Sequence, residues 1–315
     1  MLHTGQAIVD IVLGVAALPP RGGDVYAEST QLTAGGGFNV MAAARRDGAE
    51  VVYLGTVGDG PFGRIVGDAL AAEDIAVGNT PVRGVDTGFS VAIVDAGAER
   101  TFVSSLGAEG RVDVEHLRSV TCTADDVVYV TGYSMLHERN RAALLAWTPT
   151  LPAATTIVFD PSPLIADIPD EPWRLMVDRA SIWTLNTREA GLAARRFGDD
   201  ETADPAALTV SVDRRVRGTV VVRDSESGAY VSGESGGLVA PHRVSAVDTN
   251  GAGDAHTGVL CAALTRGASL IGAVRRANVA AAIAVTRSGP ATSPAAAEID
   301  AVLAEHPGDV ASAIA

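Results

Sequence analysis

Short apolar runs alternate with segments of helical periodicity along most of the chain. The apolar runs predict strands at residues 51–57, 127–130, 156–159, 181–185 and 216–222. Apolar positions three and four apart predict helices at residues 40–46, 62–72, 140–147, 173–177 and 189–197. From residue 254 onward the pattern is helical, with a break at residues 288–290. Alternating strands and helices predict an α/β fold whose doubly wound, mainly parallel sheet is flanked by helices.

The early part of the chain does not fit this rhythm. Its strand patterns lie at residues 7–15, 25–32, 87–94 and 100–104. Asp10 interrupts the first of them, and Asp95-Ala96-Gly97-Ala98 is a turn sequence between the last two. We expect these segments to pair in a small separate sheet. Because no repeat or long linker divides the chain, residues 1–315 are predicted to form a single domain.

Composition and charge limit the partners of the protein. The 315 residues are 47% hydrophobic and 20% charged, which is a globular composition. A net charge of −14 argues against nucleic acid or an anionic membrane as the main partner, although a small anionic substrate stays open. The first residues lack the basic region and long apolar core of a signal peptide. Since no uninterrupted apolar run reaches transmembrane length, the sequence predicts a cytoplasmic protein.

The chain contains no lysine, because all 24 basic residues are arginines. A phosphate site built on a Walker A lysine is therefore excluded, as are Schiff-base chemistry and the strand lysine of protein kinases. Any phosphate binding has to use arginine, backbone amides or a metal ion.

The sequence DTNGAGD, residues 248–254, precedes a long apolar run with helical spacing. It therefore predicts a turn that opens a helix. A helix N-terminus exposes unpaired N–H groups and a partial positive charge, and glycines let an anion approach them closely. Asp254 would lie at the edge of this cradle, where a carboxylate can take a proton from a nucleophile. Cradle and base together suit phosphoryl transfer to a hydroxyl, although the same residues suit a helix-opening turn without a ligand.

Two further segments carry polar groups in the first forty residues. Gly35-Gly36-Gly37-Phe38-Asn39 precedes a predicted helix, and Asn39 can offer a donor and an acceptor to a polyol. The alternative is a plain glycine turn. Asp10 lies inside an apolar strand, where a carboxylate is costly unless it is paired or bound. The alternative is an edge strand with Asp10 facing water.

Asn186 and Glu189 follow the apolar run 181–185 and share one face of the next helix. Open α/β sheets bind ligands at strand ends of this kind, and such oxygen ligands suit Mg²⁺, usually through water. The alternative is a helix-capping box without a metal. The two interpretations are compatible.

Taken in order, these four segments resemble the ribokinase-like, PfkB-type carbohydrate kinase family over nearly the whole chain. That family has a glycine-rich segment ending in Asn near residue 40, an N-x-x-E motif mid-chain and a late D-T-x-G-A-G-D signature, which matches here in full. Residues 283–289, IAVTRSG, also look like the ribokinase C-terminal segment. The resemblance implies an ATP-dependent kinase acting on ribose or another pentose or hexose. It also implies a small β lid, from about residues 10–34 and 87–104, that closes over the sugar to exclude water.

The resemblance implies a role for each matching residue. Asp254 would be the base that deprotonates the acceptor hydroxyl. The other implied sets are the anion hole of Gly251, Ala252 and Gly253, and the sugar-binding residues Asp10, Gly36, Gly37 and Asn39. The residues implied for the nucleotide and its Mg²⁺ are Asn186, Glu189, Arg223, Gly228 and Asn278. A K⁺ ion would be held, mostly through carbonyls, by Asp248, Asn250, Ala284, Gly289 and Ser293. Family members often pair as homodimers through their lids.

The chain departs from the family pattern in four places. His256 stands where the family usually has Phe. The T-x-G-x-x-G nucleotide segment reads RDSESG at residues 223–228, so that only the last glycine is present. Ile8 replaces the Asn typical of ribokinases, which weakens ribose as the substrate. Residues 160–163 lack the Asn and Arg of the ketodeoxygluconate-kinase branch, which disfavours that acid sugar.

Three other functions remain as alternatives. A nucleoside kinase of the same fold would stack a base on aromatic rings, for which the early segments offer Tyr26, Phe89 and Phe102. A non-catalytic sugar-binding relative would fit the altered nucleotide segment, but Asp254 and the glycine turn argue against it. A nucleotide-cofactor oxidoreductase is disfavoured because the glycines at 35–37 lack the G-x-G-x-x-G spacing.

Overall fold

The computed structural model describes residues 1–97, 99–199, 202–234 and 236–306, so that Ala98 of the predicted turn lies outside the described residues. The described strands are β1 (Leu2–His3), β2 (Ala7–Gly14), β3 (Ser29–Gly36), β4 (Val52–Tyr53), β5 (Ala76–Val77), β6 (Phe89–Val94), β7 (Arg100–Ser105), β8 (Val127–Thr131), β9 (Thr156–Asp160), β10 (Ile182–Asn186), β11 (Thr219–Arg223), β12 (Ala229–Val231) and β13 (Gly237–Val239). The described α-helices are α1 (Gly37–Arg46), α2 (Pro61–Ala72), α3 (Val114–Arg118), α4 (Gly132–Leu136), α5 (Glu138–Trp147), α6 (Asp170–Arg179), α7 (Thr187–Arg196), α8 (Pro205–Asp213), α9 (Ala252–Thr265), α10 (Leu270–Ala284) and α11 (Ala296–Glu305).

The larger sheet has the strand order β13-β12-β11-β10-β9-β8-β1-β4-β5. All pairs from β11 to β5 are parallel, whereas β12 and β13 add an antiparallel edge. Apolar residues from both faces of this sheet form two hydrophobic clusters. One cluster packs against α1, α2, α9 and α10, and the other against α5, α6, α7 and α8. The predicted doubly wound, mainly parallel α/β fold is confirmed.

A second sheet has the order β3-β2-β6-β7 and contains the early strand patterns. β2 runs antiparallel to β3 and parallel to β6, and β6 pairs with β7 as an antiparallel hairpin. Asp10 pairs with Thr33 on one side and Ser90 on the other, so β2 is a central strand. The edge-strand interpretation of Asp10 is therefore wrong. The third strand begins and ends four residues later than the pattern at 25–32, because pairing with β2 sets its register.

Several short elements carry no readable periodicity and were not predicted. β1 and β5 have two residues each, and β12 and β13 have three, whereas the two-residue β4 falls within the strand predicted at residues 51–57. Their position depends on neighbouring strands rather than on their own sequence. Within the described ranges, no helix combines the length and apolar character needed to cross a bilayer.

Candidate active site

The DTNGAGD segment forms the turn into α9. Gly251 caps the helix in the left-handed conformation, with φ 75° and ψ 2°. A Cβ atom at Gly251 would lie 1.8 Å from the carbonyl oxygen of Pro290, so two loops meet here at a distance that only glycine permits. Ala252 N–H donates to Thr249 O at 3.3 Å, which engages one of the three predicted anion-hole amides within the turn. The first turn of α9 nevertheless brings a positive helix end to this place.

Asp254 lies in that first turn and contacts α1. Asn39 Nδ2 donates to Asp254 Oδ2 at 3.0 Å, and Asn39 Oδ1 is buried without a hydrogen-bond partner among the described residues. Burial raises the pKa of Asp254, while the Asn39 hydrogen bond and the positive charge of Arg223 oppose that rise. Asp254 is therefore a stronger base than an ordinary aspartate, and the Asn39 amide fixes the orientation of its carboxylate.

Asp10 approaches the same carboxylate from β2. Burial raises the pKa of Asp10 to about 6, and the negative charge of Asp254 adds to the rise. A Cβ atom at Gly35 would lie 1.8 Å from Asp10 Oδ2, so Gly35 is required to make room for this side chain. Asp10, Asn39 and Asp254 thus converge from β2, α1 and α9.

Gly36 and Gly37 of the glycine-rich segment form the backbone turn between β3 and α1. Gly36 has φ 59°, which turns the chain from β3 into α1. Gly37 N–H donates to Gln6 O at 2.7 Å, and a Cβ atom on Gly37 would lie 2.3 Å from Cε1 of His3. These glycines shape the segment that carries Asn39, and the N–H of Gly37 is already engaged.

Asn186 and Glu189 form a reciprocal capping box at the start of α7. Asn186 Oδ1 accepts from Glu189 N–H at 2.8 Å, and Glu189 Oε2 accepts from Asn186 N–H at 2.8 Å. The structure thus contains the capping arrangement that the sequence left open. Asn186 is exposed, whereas Glu189 is buried, with 5% of its surface exposed.

Arg223, at the end of β11, lies between two acidic side chains. Its Nη2 atom is 3.5 Å from Glu189 Oε2, and its Nη1 atom is 3.8 Å from Asp160 Oδ2. Nη1 also donates to Thr257 Oγ1 at 2.7 Å and to Gly253 O at 3.3 Å. Burial raises the pKa of Asp160, and the neighbouring Arg223 partly offsets that rise.

Asp160 was not predicted as a site residue. The signal that could have found it is positional, since Asp160 directly follows the apolar run 156–159. Asn186 and Arg223 end the next two strands, β10 and β11, in the same way. Polar side chains at the ends of adjacent parallel strands meet at one sheet edge.

A cleft of about 640 Å³ opens beside this cluster. The predicted nucleotide residues that line it are Asn186, Arg223, Gly228 and Asn278, together with Gly253. In the altered nucleotide segment, Ser225 has φ 47° and Gly228 has φ 101°. Ser225, which stands where the family pattern has glycine, thus adopts a conformation that favours glycine.

Asn278 and His256 are bonded to each other at the wall of the cleft. Asn278 Nδ2 donates to the carbonyls of Val239 and Ala240, which leaves Asn278 Oδ1 facing His256 Nε2 at 3.1 Å. Burial lowers the pKa of His256 to about 3, so the ring is neutral and donates through Nε2. The polar atoms of Asn278 and the Nε2 atom of His256 are therefore engaged within the protein, whereas His256 Nδ1 is buried without a partner among the described residues.

The predicted K⁺ ligands come together from two loops, but their oxygens are partly engaged. Asp248 Oδ1 accepts from Asn250 N–H at 2.9 Å and from Arg100 Nη2 at 3.1 Å, and Oδ2 accepts from Gly289 N–H at 3.0 Å. These contacts lower the pKa of Asp248 against the opposing effect of burial. Arg100 belongs to the second sheet, so this ion pair links that sheet to the turn before α9.

In the second loop, the Ser293 carbonyl accepts from Arg46 Nη1 at 3.2 Å. Ala284 O accepts from Thr292 Oγ1 at 3.1 Å and from Arg287 N–H at 3.1 Å. The Ser293 hydroxyl, in contrast, is buried without a hydrogen-bond partner among the described residues. An orphaned buried oxygen of this kind suits a cation, whereas the engaged Asp248 and Ala284 oxygens suit it less well.

The chain is similar to known carbohydrate kinases over nearly its whole length. A family model described as pfkB family carbohydrate kinase matches residues 2–297. The uncharacterized sugar kinase YegV of Escherichia coli strain K12 is 29% identical over 301 residues, which cover 95% of this chain and 92% of that protein.

Two solved structures share the fold at 22% sequence identity each. A ribokinase from Thermotoga maritima has a TM-score of 0.81, with 96% of this chain and 98% of that one covered. A fructokinase with bound ATP from Xylella fastidiosa has a TM-score of 0.79, with 98% of each chain covered. The chain therefore belongs to the pfkB family of carbohydrate kinases and is a phosphotransferase with an alcohol group as acceptor.

Proposed function

We propose that this chain is an ATP-dependent sugar kinase that transfers the γ-phosphoryl group of ATP to a hydroxyl of a pentose or hexose. One observation carries the proposal. Asp254, bonded to Asn39 and facing Asp10, directly follows Gly253, which lines the neighbouring cleft. The Asp254 carboxylate and the N-terminus of α9 thus lie between two places. On one side are Asp10 and Asn39, where we place the acceptor, and on the other is the cleft, where we place the nucleotide donor.

The donor side fits a nucleotide. The cleft combines apolar walls with Asn186, Arg223 and Gly228, and its volume suits a ligand of that size. The fructokinase that shares the fold holds ATP, which supports ATP as the donor here. A Mg²⁺ ion accompanying ATP supplies positive charge that offsets the charge on its phosphates.

The acceptor side fits a polyol. The Asp10 carboxylate and the buried, unpartnered Oδ1 of Asn39 offer acceptors for sugar hydroxyls. Asp254 Oδ2 is held by Asn39, so the carboxylate is oriented to take the proton of the attacking hydroxyl. The N-terminus of α9 then stabilises the charge that spreads over the phosphoryl oxygens.

The second sheet supports a role as a lid. It carries Asp10 on its central strand, and Arg100 at its hairpin contacts Asp248 beside the turn into α9. A sheet in this place would exclude water, which otherwise competes as the acceptor. The exposed Phe102, Val103 and Leu32 on its outer strands also support the proposal that two copies pair through it.

The nucleoside-kinase alternative gains little from the aromatic rings. Phe89 packs edge-on against Phe62, with ring centroids 5.3 Å apart, and is thereby committed. Tyr26 is 91% exposed and Phe102 is 61% exposed. We therefore favour a sugar over a nucleoside as the acceptor.

A coupled assay of ADP release tests the proposal. The panel should contain pentoses, hexoses, sugar phosphates and nucleosides, each with KCl and with choline chloride. The proposal expects ADP release that depends on one or a few sugars. Release only with nucleosides would select the alternative, and tight sugar binding by calorimetry without turnover would indicate a non-catalytic relative. A difference between the two salts would support K⁺ activation through the Ser293 loop.

A further inference from the structure

The Arg223 guanidinium is fixed rather than free. It donates to Thr257 Oγ1 at 2.7 Å and to Gly253 O at 3.3 Å, both on α9, while its side chain is only 13% exposed. Two anchors on a buried helix turn hold the planar head in one orientation. The positive charge is therefore a permanent part of this sheet edge.

This charge lies where the acidic side chains would otherwise face each other. Glu189 Oε2 is 3.5 Å from Nη2, and Asp160 Oδ2 is 3.8 Å from Nη1. Both carboxylates are largely buried, with side chains 7% and 15% exposed. Without a cation between them, two buried negative charges would repel each other.

Two of the oxygens that the sequence assigned to Mg²⁺, Asn186 Oδ1 and Glu189 Oε2, are already engaged. Glu189 Oε2 accepts the Asn186 N–H, and Asn186 Oδ1 accepts the Glu189 N–H. Mg²⁺ requires oxygen ligands in near-octahedral order at about 2.1 Å. A guanidinium wedged against the same carboxylates opposes a second cation electrostatically. Within the described part of the chain, no group of three His, Cys, Asp or Glu side chains is arranged to hold a metal.

We propose that Arg223 takes the place of a protein-held divalent cation between Glu189 and Asp160, so that a divalent ion reaches this site only with the nucleotide. The claim about the nucleotide rests on the proposed kinase function. The claim that Arg223 replaces a protein-held cation does not, because it concerns the nucleotide-free protein.

Manganese binding to the nucleotide-free protein tests the proposal without any turnover. Free Mn²⁺ is measured by electron paramagnetic resonance at a pH of about 8, well above the ordinary pKa of a free carboxyl group. The variants are R223Q, E189Q and the double variant. R217Q is the matched control, since Arg217 is 79% exposed and precedes β11, at the opposite end of the strand from Arg223 and outside the lining of the cleft.

The wild type, E189Q and R217Q should bind no Mn²⁺ up to about 1 mM, whereas R223Q should bind a single ion that the double variant loses. Glu189-dependent binding by the wild type would overturn the proposal, and so would R223Q that folds but gains no site. If circular dichroism shows that R223Q does not fold, the comparison of wild type with E189Q still decides. A kinase assay that fails on every acceptor would sink the proposed function and leave this result standing.

Discussion

Asn39 donates a hydrogen bond to Asp254 at 3.0 Å across 215 positions of sequence. The bond joins the first turn of α1 to the first turn of α9. It favours the ionised form of Asp254, whereas burial favours the neutral form. The balance between these two effects sets the pH at which Asp254 becomes ionised and so available for its proposed role as a base.

Removing the donor should move that balance. In Asn39→Leu the pKa of Asp254 rises, so the acidic limb of the kcat/KM profile should shift upward by about one pH unit. Asn79→Leu is the control, because Asn79 donates to the carbonyls of Leu54 and Gly55 away from the site. An unshifted limb in Asn39→Leu would show that this bond does not tune the base.

The ionised Asp10 carboxylate should lower the free energy of unfolding at neutral pH. Its pKa of about 6 in the folded protein exceeds the ordinary value of 3.8, so folding favours its protonated form. The penalty is full above about pH 6 and disappears as the pH falls below the ordinary value. Asp10→Asn should therefore raise the free energy of unfolding at pH 8 by on the order of 1–2 kcal/mol, with little effect at pH 4, and should weaken sugar binding.

Asp86 provides the matched control with the opposite sign. Its carboxylate accepts N–H bonds from Phe62, Gly63 and Thr87, which lower its pKa against the opposing effect of burial. Asp86→Asn should lose stability at pH 8, and the loss should fade as the pH falls toward 3. Urea unfolding at several pH values measures both variants. Parallel pH trends in the two would contradict the account.

Two glycines of the signature should respond differently to alanine. A Cβ atom at Gly251 would lie 1.8 Å from Pro290 O at φ 75°, whereas one at Gly253 would lie 3.7 Å from Arg223. Gly251→Ala should lower both the melting temperature and kcat, because the loop junction must open. Gly253→Ala should keep the melting temperature within a few degrees, and any loss of kcat then reports on the anion site itself. Equal melting temperatures for the two variants would refute the close approach.

Ser225 holds a strained backbone conformation in the nucleotide segment. At φ 47° a serine is less favourable than glycine, so Ser225→Gly should stabilise the protein by up to about 1 kcal/mol. Chemical denaturation measures the change. A destabilised Ser225→Gly would mean that unfolded-chain entropy outweighs the strain.

The sequence predicted the parallel sheet because most of its strands are short apolar runs separated by helical patterns. It also pointed to Asp10, Asn39 and Asp254, since each stands out against an apolar or glycine-rich surrounding. It did not predict Asp160 as a site residue. The proximity of Asp160 to Arg223 depends on the strand order, which places β9 beside β10 and β10 beside β11. Nor could the sequence choose between a capping box and a metal site at Asn186. The three-residue spacing of Asn186 and Glu189 suits both, and only the position of Arg223 beside Glu189 distinguishes them.

The central claim is that Asp254 is the base of a phosphoryl transfer. Its direct test is the turnover of Asp254→Asn with ATP and the best sugar from the acceptor panel, alongside circular dichroism and ADP binding. We expect kcat to fall by at least about 100-fold while the fold and ADP affinity persist. Near-normal turnover by a folded Asp254→Asn would contradict the account.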